Sequence, residues 1–208
     1  MKKQELNKII YISVALSAIL TLIYLFYNNS FDTTTFYRGV SFSISIVTLF
    51  WTFYIAYGWK LCLLNKIFYR PNLNGTWKGY LESDWKDEKG NTIAPKEIFI
   101  VIRQNFLRIH FTTFTDNFIG YSYSETFNLK EETGLKNVAY LYRKDTSRCN
   151  DDDLREGATE LRFINDKSFK KLDGKYWTNT KTQGRISVEF IDKDYIDSFE
   201  SGKKLWKN

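Results

Sequence analysis

The residues best equipped for chemistry in this chain are aromatic: 14 Tyr, 17 Phe and 6 Trp in a length of 208. In the part beyond residue 70, Tyr80, Tyr121, Tyr123, Tyr140, Tyr142, Tyr176 and Trp177 fall within short alternating stretches. Tyrosine and tryptophan pair a flat apolar face with a hydrogen-bonding tip, the properties needed to stack a nucleobase. Arg143 adjoins Tyr142, and a guanidinium holds phosphate through two parallel hydrogen bonds. Chemistry and strand parity together give a ligand-binding set of Thr113, Tyr121, Tyr123, Tyr142, Arg143 and Trp177. The competing reading is that aromatics are favoured strand formers and simply fill a core.

Catalysis has no comparable support. The chain contains no G-x-S-x-G, no H-E-x-x-H and no G-x-x-x-x-G-K phosphate loop. His110 is the single histidine; the sequence shows no pairing of Cys with His and no Cys or His cluster, so a structural zinc site is not expected. His110 is expected on an outer face or rim, without a partner that would make it a general base. Asp151-Asp152-Asp153 reads as a solvated loop rather than a cation site, since no second acidic cluster has matching spacing. Cys62 and Cys149 lie in different surroundings and form no disulfide framework. No catalytic residue, metal or cofactor is expected.

The elements that must position the aromatics begin with a membrane anchor. Residues 9–27 are an uncharged apolar run; at ~1.5 Å per residue they extend roughly 28 Å, close to the ~30 Å of bilayer hydrocarbon. A second run covers residues 40–59. The first run is too long for a signal-peptide core, no A-x-A site follows, and the second span arrives at once. Lys2, Lys3 and Lys8 precede helix one, while Lys60, Lys66 and Arg70 follow helix two. The loop 28–39 holds only Arg38 as a cation, so both termini are expected to be cytoplasmic. Residues 1–70 carry a net charge of +5 and residues 71–208 a net of +1. The basic balance therefore reports membrane topology, and a polynucleotide partner is not expected. Ser13, Ser17 and Thr21 form one stripe, and Ser41, Ser45, Thr48 and Thr52 another. Small stripes let helices approach closely in lipid. The simpler reading packs helix one on helix two through them; the sharper one joins protomers.

Residues 71–208 read as eight short strands with turns between them, at 75–83, 96–104, 106–115, 118–129, 136–144, 158–164, 169–177 and 184–191. The fold class is thus a membrane-anchored all-β chain: two N-terminal transmembrane helices followed by an eight-stranded antiparallel β-barrel, a size with room for one small ligand. Parity puts Leu107, Ile109, Phe111 and Thr113 inside on strand three, and Ile186, Val188 and Phe190 inside on strand eight. For strand four, a three-residue loop with Asn117 at positive φ is favoured, which turns Ile119, Tyr121 and Tyr123 inward. A two-residue Asp116-Asn117 turn would instead turn Gly120, Ser122 and Ser124 inward. Strand two is apolar on both faces, so its outer face must meet something: bilayer, tail or a second protomer.

Right after the second span the chain reads Pro71-Asn72-Leu73-Asn74-Gly75-Thr76-Trp77-Lys78-Gly79. Its G-x-W opening resembles the start of lipocalin and avidin barrels, where Trp plugs one end. Joined to two N-terminal spans and an inward-facing eight-strand domain, the whole chain resembles the two-transmembrane, β-strand-rich effectors of bacterial cyclic-oligonucleotide antiphage signalling (CBASS). That resemblance implies a multi-pass protein of the bacterial inner membrane whose barrel binds a cyclic di- or trinucleotide. It implies further that protomers form a homo-oligomer among the membrane lipids and disrupt the bilayer, causing abortive infection. Gly75 and Trp77 carry over as structural positions only. The alternative is a membrane-tethered, lipocalin-like carrier or sensor of a small apolar ligand.

Overall fold

A computed structural model describes residues 3–86, 90–130, 135–145, 156–166 and 168–207. It divides into two compact units, one formed by the residues up to Arg70 with Asn105–Leu107, the other by Pro71–Gln104 and Arg108–Asn208.

The first unit is a helical hairpin of α1 (Lys3–Asn28) and α2 (Thr33–Ala56). Both helices are long and apolar enough to cross a membrane. Asp32 starts α2 by accepting the N–H groups of Thr34 and Thr35 at 2.9 and 3.1 Å. The helices meet through small residues: the Thr21 and Ser43 hydroxyls share a hydrogen bond of 2.9 Å, and Trp51 Nε1–H donates to Ser13 Oγ at 2.8 Å. A Cβ on Gly39 would lie 3.1 Å from the Tyr24 ring, so the closest approach uses Gly39 and Ser43, a small-xxx-small pair. The stripe on helix one thus lies inside the hairpin. The stripe on helix two does not: Ser41, Ser45, Thr48 and Thr52 are exposed on the far side of α2, which corrects the reading that both stripes join the two helices. Counting hydroxyls selected that face; backbone approach selects the face with glycine. The outward hydroxyls are satisfied by their own helix, Ser45 donating to the Ser41 carbonyl and Thr52 to that of Thr48, both at 2.9 Å. After α2, two 3-10 turns (Gly58–Lys60 and Leu64–Lys66) lead to a buried cluster of Tyr54, Trp59, Phe68 and Phe106. There Arg70 pairs with Glu5 at 3.1 Å.

The second unit is a closed barrel in which each strand pairs antiparallel with the next and β8 returns to β1. The strands are β1 (Gly75–Ser83), β2 (Lys96–Gln104), β3 (Ile109–Phe114), β4 (Ile119–Lys130), β5 (Leu135–Asp145), β6 (Glu156–Asn165), β7 (Lys170–Thr178) and β8 (Gln183–Asp192). Closure removes sheet edges. Ile109, Phe111, Ile186 and Val188 are buried in the core, with Phe190 against it, as parity required. Leu107 is an exception: the chain turns at 105–107, where Asn105 Oδ1 accepts the Leu107 N–H at 2.9 Å, and its side chain is exposed.

Strand four corrects a second expectation. Thr113 pairs with Gly120 and Phe114 with Ile119, so the connection is the two-residue Asp116-Asn117 turn. Thr115 explains it without glycine: its hydroxyl accepts the N–H groups of Phe118 at 3.1 Å and Asn117 at 3.4 Å. Asn117 is not among the residues with positive φ. Gly120 and Ser122 therefore share the inner side with Thr113, while Ile119, Tyr121 and Tyr123 are exposed. A bulge between Ser122 and Ser124 then resets the parity. There Ser122 Oγ accepts the Phe111 N–H at 2.9 Å and bonds Glu125, whose carboxylate also meets His110 Nδ1 at 3.0 Å.

One end of the barrel is plugged. Trp77 is fully buried, donates its indole N–H to the Leu73 carbonyl at 2.9 Å, and meets Phe163 and Phe190 edge-on. Gln104 closes the same end, accepting the Leu73 N–H at 2.9 Å and donating to the Pro71 carbonyl at 3.0 Å.

The outer face of β2 is covered by the tail. Helix α3 (Phe199–Lys207) places Phe199 and Leu205 against Phe99, Val101 and Phe114. Gly202 sits on the Phe99 ring, where an added Cβ would fall 2.7–2.8 Å from three ring carbons. Gly202→Ala is therefore expected to lift α3 from β2 and destabilise the barrel by about 1–3 kcal/mol, the usual range for overpacking. A lowered urea midpoint with greater water exposure of Trp206 emission checks it.

Candidate functional site

The end opposite the Trp77 plug is left uncovered by the described residues. A cavity of about 500 Å³ sits there, framed by the end of β1, the start of β2, the β3–β4 turn, the end of β5 and the β7–β8 turn. Ligand pockets commonly fall between ~300 and 1,000 Å³. Leu81 and Ile98 give an apolar lining, Trp85 and Phe118 aromatic faces, and Lys96 and Lys144 positive charge. No carboxylate lines the cavity among the described residues. The mouth thus offers cations and stacking surfaces without a competing anion, which suits a small planar molecule carrying negative charge. Lys144 Nζ rests 4.1 Å from the Phe118 ring centroid, a cation–π contact that holds the ammonium at the rim.

Three tyrosines occupy the interior. Tyr176 lines the cavity, and burial pushes its phenol up, opposed by a hydrogen bond with Ser83. Tyr142 packs against the core, and burial, then the neighbouring Tyr140 and Tyr176, raises its phenol. Tyr140 is stacked on Phe111 with centroids 4.2 Å apart. Glycines make room for two of these rings: a Cβ on Gly157 would lie 2.6 Å from Tyr142 Oη, and one on Gly184 would lie 2.7 Å from the Tyr176 ring. Tyr142 pairs across the ladder with Gly157 and Tyr176 with Gly184. An aromatic facing a glycine in register is a signal that strand alignment could have supplied.

Burial pushes the Tyr140 phenol up to about 12, against the opposing hydroxyls of Thr159 and Thr113. The unfolded chain ionises tyrosine near pH ~10, so the stabilising contribution is whole below that pH and is lost as pH climbs through the folded value. Stability is expected to hold to pH ~9 and then to fall toward pH 12, by on the order of 2–3 kcal/mol from this residue. Urea midpoints across that range check it, and Tyr140→Phe should flatten the fall.

Of the six residues picked as ligand-binding, the structure turns Thr113 and Tyr142 into the barrel interior, though neither lines the cavity at the mouth. Tyr121, Tyr123, Arg143 and Trp177 lie on the outer wall and do not line the cavity. Tyr121 and Tyr123 moved outward with the register of β4. Arg143 follows Tyr142 on the strand and so faces the other way; it pairs with Glu156 at 2.7 Å and lies 5.9 Å from the Tyr123 ring. Trp85, Lys96, Phe118 and Lys144 were missed because they stand at strand ends and turns, where parity says nothing. Asp151-Asp152-Asp153 lies outside the described residues. Among the described residues no group of three His, Cys, Asp or Glu side chains could hold a metal.

Comparison with known proteins places this geometry. The chain is 27% identical over 173 residues to CD-NTase-associated protein 15 of Escherichia albertii, covering 81% of this chain and 85% of that protein. Residues 68–189 match the protein-family model described as Cap15, cyclic dinucleotide receptor domain. The match takes in all of the barrel except its last few residues and leaves α3 beyond it. With two apolar N-terminal helices ahead of a closed eight-strand barrel, the resemblance to CBASS membrane effectors holds, and the chain belongs to the Cap15 cyclic dinucleotide receptor domain family.

Proposed function

We propose that this protein is a CBASS effector of the bacterial inner membrane, with both termini cytoplasmic, that binds a cyclic dinucleotide in the open mouth of its barrel. Binding drives protomers to assemble, and the assembled helices disrupt the bilayer. The chain acts as a receptor and turns nothing over. The observation that carries the reading is the mouth itself: lysines and aromatic faces around a cavity of about 500 Å³, with no carboxylate in the lining among the described residues. An apolar carrier has no use for lysines there, so the mouth favours an anion over a lipid. Thermal shift on the full chain in detergent tests it against cyclic di- and trinucleotides. Stabilisation by a cyclic dinucleotide supports the reading, and no shift with any of them overturns it.

The assembly step rests on α2. Ser41, Ser45, Thr48 and Thr52 form an outward stripe of small residues that the hairpin leaves uncovered. Ser45→Leu with Thr48→Leu is expected to reduce ligand-induced crosslinking between protomers and to relieve toxicity in cells, with ligand affinity unchanged. Undiminished crosslinking would place the contact on another face.

A further inference from the structure

Most glycines of the barrel strands leave no room for a side chain: an added Cβ would fall 1.9–2.4 Å from a backbone oxygen at Gly75, Gly79, Gly157, Gly174 and Gly184. Gly120 on β4 differs. It is buried and shares the inner side with its ladder partner Thr113, yet an added Cβ would meet nothing closer than 3.8 Å, from Thr113 Cβ and the Arg143 carbonyl oxygen. Its φ is not positive, so neither crowding nor backbone conformation calls for glycine here. Glycine inside a strand weakens the strand, and it often marks a position that a ligand approaches closely. Gly120 is the first inward position past Phe118 and pairs with Lys144; both of those residues line the mouth. Tyr142 faces inward from β5, in register with Ser122, and its hydroxyl makes no hydrogen bond to the described residues. Tyr176, which lines the cavity, is near enough to raise the Tyr142 phenol.

Resting on the reading of the mouth as a cyclic-dinucleotide site, we propose that Gly120 keeps clear a subsite beneath the mouth that takes one base of the ligand, with the Tyr142 hydroxyl donating to the edge of that base. The phosphates belong at the rim, where Lys96 and Lys144 supply positive charge. Deeper in, they would lose those partners and meet Leu81 and Ile98, which cannot solvate an anion. A base is the part of the ligand suited to go further. Phe118 flanks the way in and offers a face for stacking, while the bare backbone at Gly120 leaves space for the thickness of a ring. Every nucleobase carries an acceptor on its edge, so the phenol O–H finds a partner whichever base enters. Binding thus gives Tyr142 the hydrogen bond it lacks in the free barrel.

Urea denaturation and isothermal titration of the full chain in detergent, with cyclic di-AMP, cyclic AMP-GMP and cyclic di-GMP as probes, test this. Gly120→Ala should keep or raise the urea midpoint, because its Cβ has free space and alanine restricts the unfolded chain. The same variant should weaken the tightest-binding probe by about 3–10-fold, and Gly120→Val by at least about 10-fold, the effect of forcing methyl groups into an occupied space. Tyr142→Phe should weaken it by about 2–10-fold, the contribution of one hydrogen bond, with no loss of midpoint, since the hydroxyl has no protein partner to lose. A lowered midpoint in Gly120→Ala would mean that the glycine serves the fold, and unchanged affinity in both Gly120 variants would mean that the base stays at the rim. Either result overturns the subsite while leaving the mouth as the site. Unchanged affinity in Tyr142→Phe would overturn the phenol contact, and binding of none of the probes by the unaltered chain would overturn both the subsite and the mouth.

Discussion

Replacing Trp77 with alanine is expected to destabilise the barrel by about 3–5 kcal/mol, the range for truncating a buried large aromatic. Three losses combine at this position. The indole is fully buried at the base of the barrel, so its removal leaves a cavity among Leu73, Phe163 and Phe190. The Leu73 carbonyl loses the indole N–H that reaches it at 2.9 Å. Two edge-on aromatic contacts disappear, with centroids at 5.4 Å from Phe190 and 6.3 Å from Phe163. Since a domain of this size holds only ~5–15 kcal/mol in total, the variant should unfold partly near body temperature. Urea denaturation of the full chain in detergent, followed by far-UV circular dichroism, gives the figure. Trp77→Phe should recover much of the packing but not the hydrogen bond, and should fall between the two.

The second large effect concerns binding. Lys96→Glu together with Lys144→Glu is expected to weaken cyclic-dinucleotide affinity by at least ~100-fold, as each hydrogen bond to a charged group contributes about 1.5–3 kcal/mol. Reversal also places two carboxylates in a mouth whose described lining has none. Folding should be unaffected, because Lys96 is exposed and Lys144 rests on Phe118 at the rim. The control is Arg143→Ala. Arg143 lies on the outer wall in an ion pair with Glu156, so its removal should leave affinity unchanged. If Arg143→Ala weakens binding and the double reversal does not, the ligand is held outside the barrel.

The ends of β1 and β2 were legible to the residue, because turn and charged residues bound both runs, Asn74 and Asp84 on β1 and Pro95 and Asn105 on β2. The interior faces of β3 and β8 followed from the same period of two. Strand four was misread for a local reason: the Thr115 hydroxyl stands in for the positive-φ residue that a tight turn otherwise demands. The bulge at Tyr123 then reset the parity, and no pattern in the sequence marks it. The two-faced apolar pattern of β2 announced a cover but not its identity. Helix α3 is short and has Gly202 at its centre, a poor helix former chosen by the approach to Phe99. In the membrane hairpin, hydroxyl spacing pointed to the wrong face of α2 because Gly39, the residue that permits contact, carries no side chain to count. The mouth was the least legible part. It is assembled from strand ends and turns that are far apart in sequence, and only closure of the barrel brings Trp85, Lys96, Phe118 and Lys144 together.

Photolabelling with a cyclic dinucleotide that carries an azido-purine base, followed by mass spectrometry of the digested full chain, tests most directly where the ligand sits. Label is predicted on the peptides that contain Trp85, Phe118 and Lys144, and excess unmodified ligand should remove it. Competable label on Tyr121, Tyr123 or Trp177 of the outer wall, with the mouth unmarked, would contradict a barrel that receives its ligand through the open end.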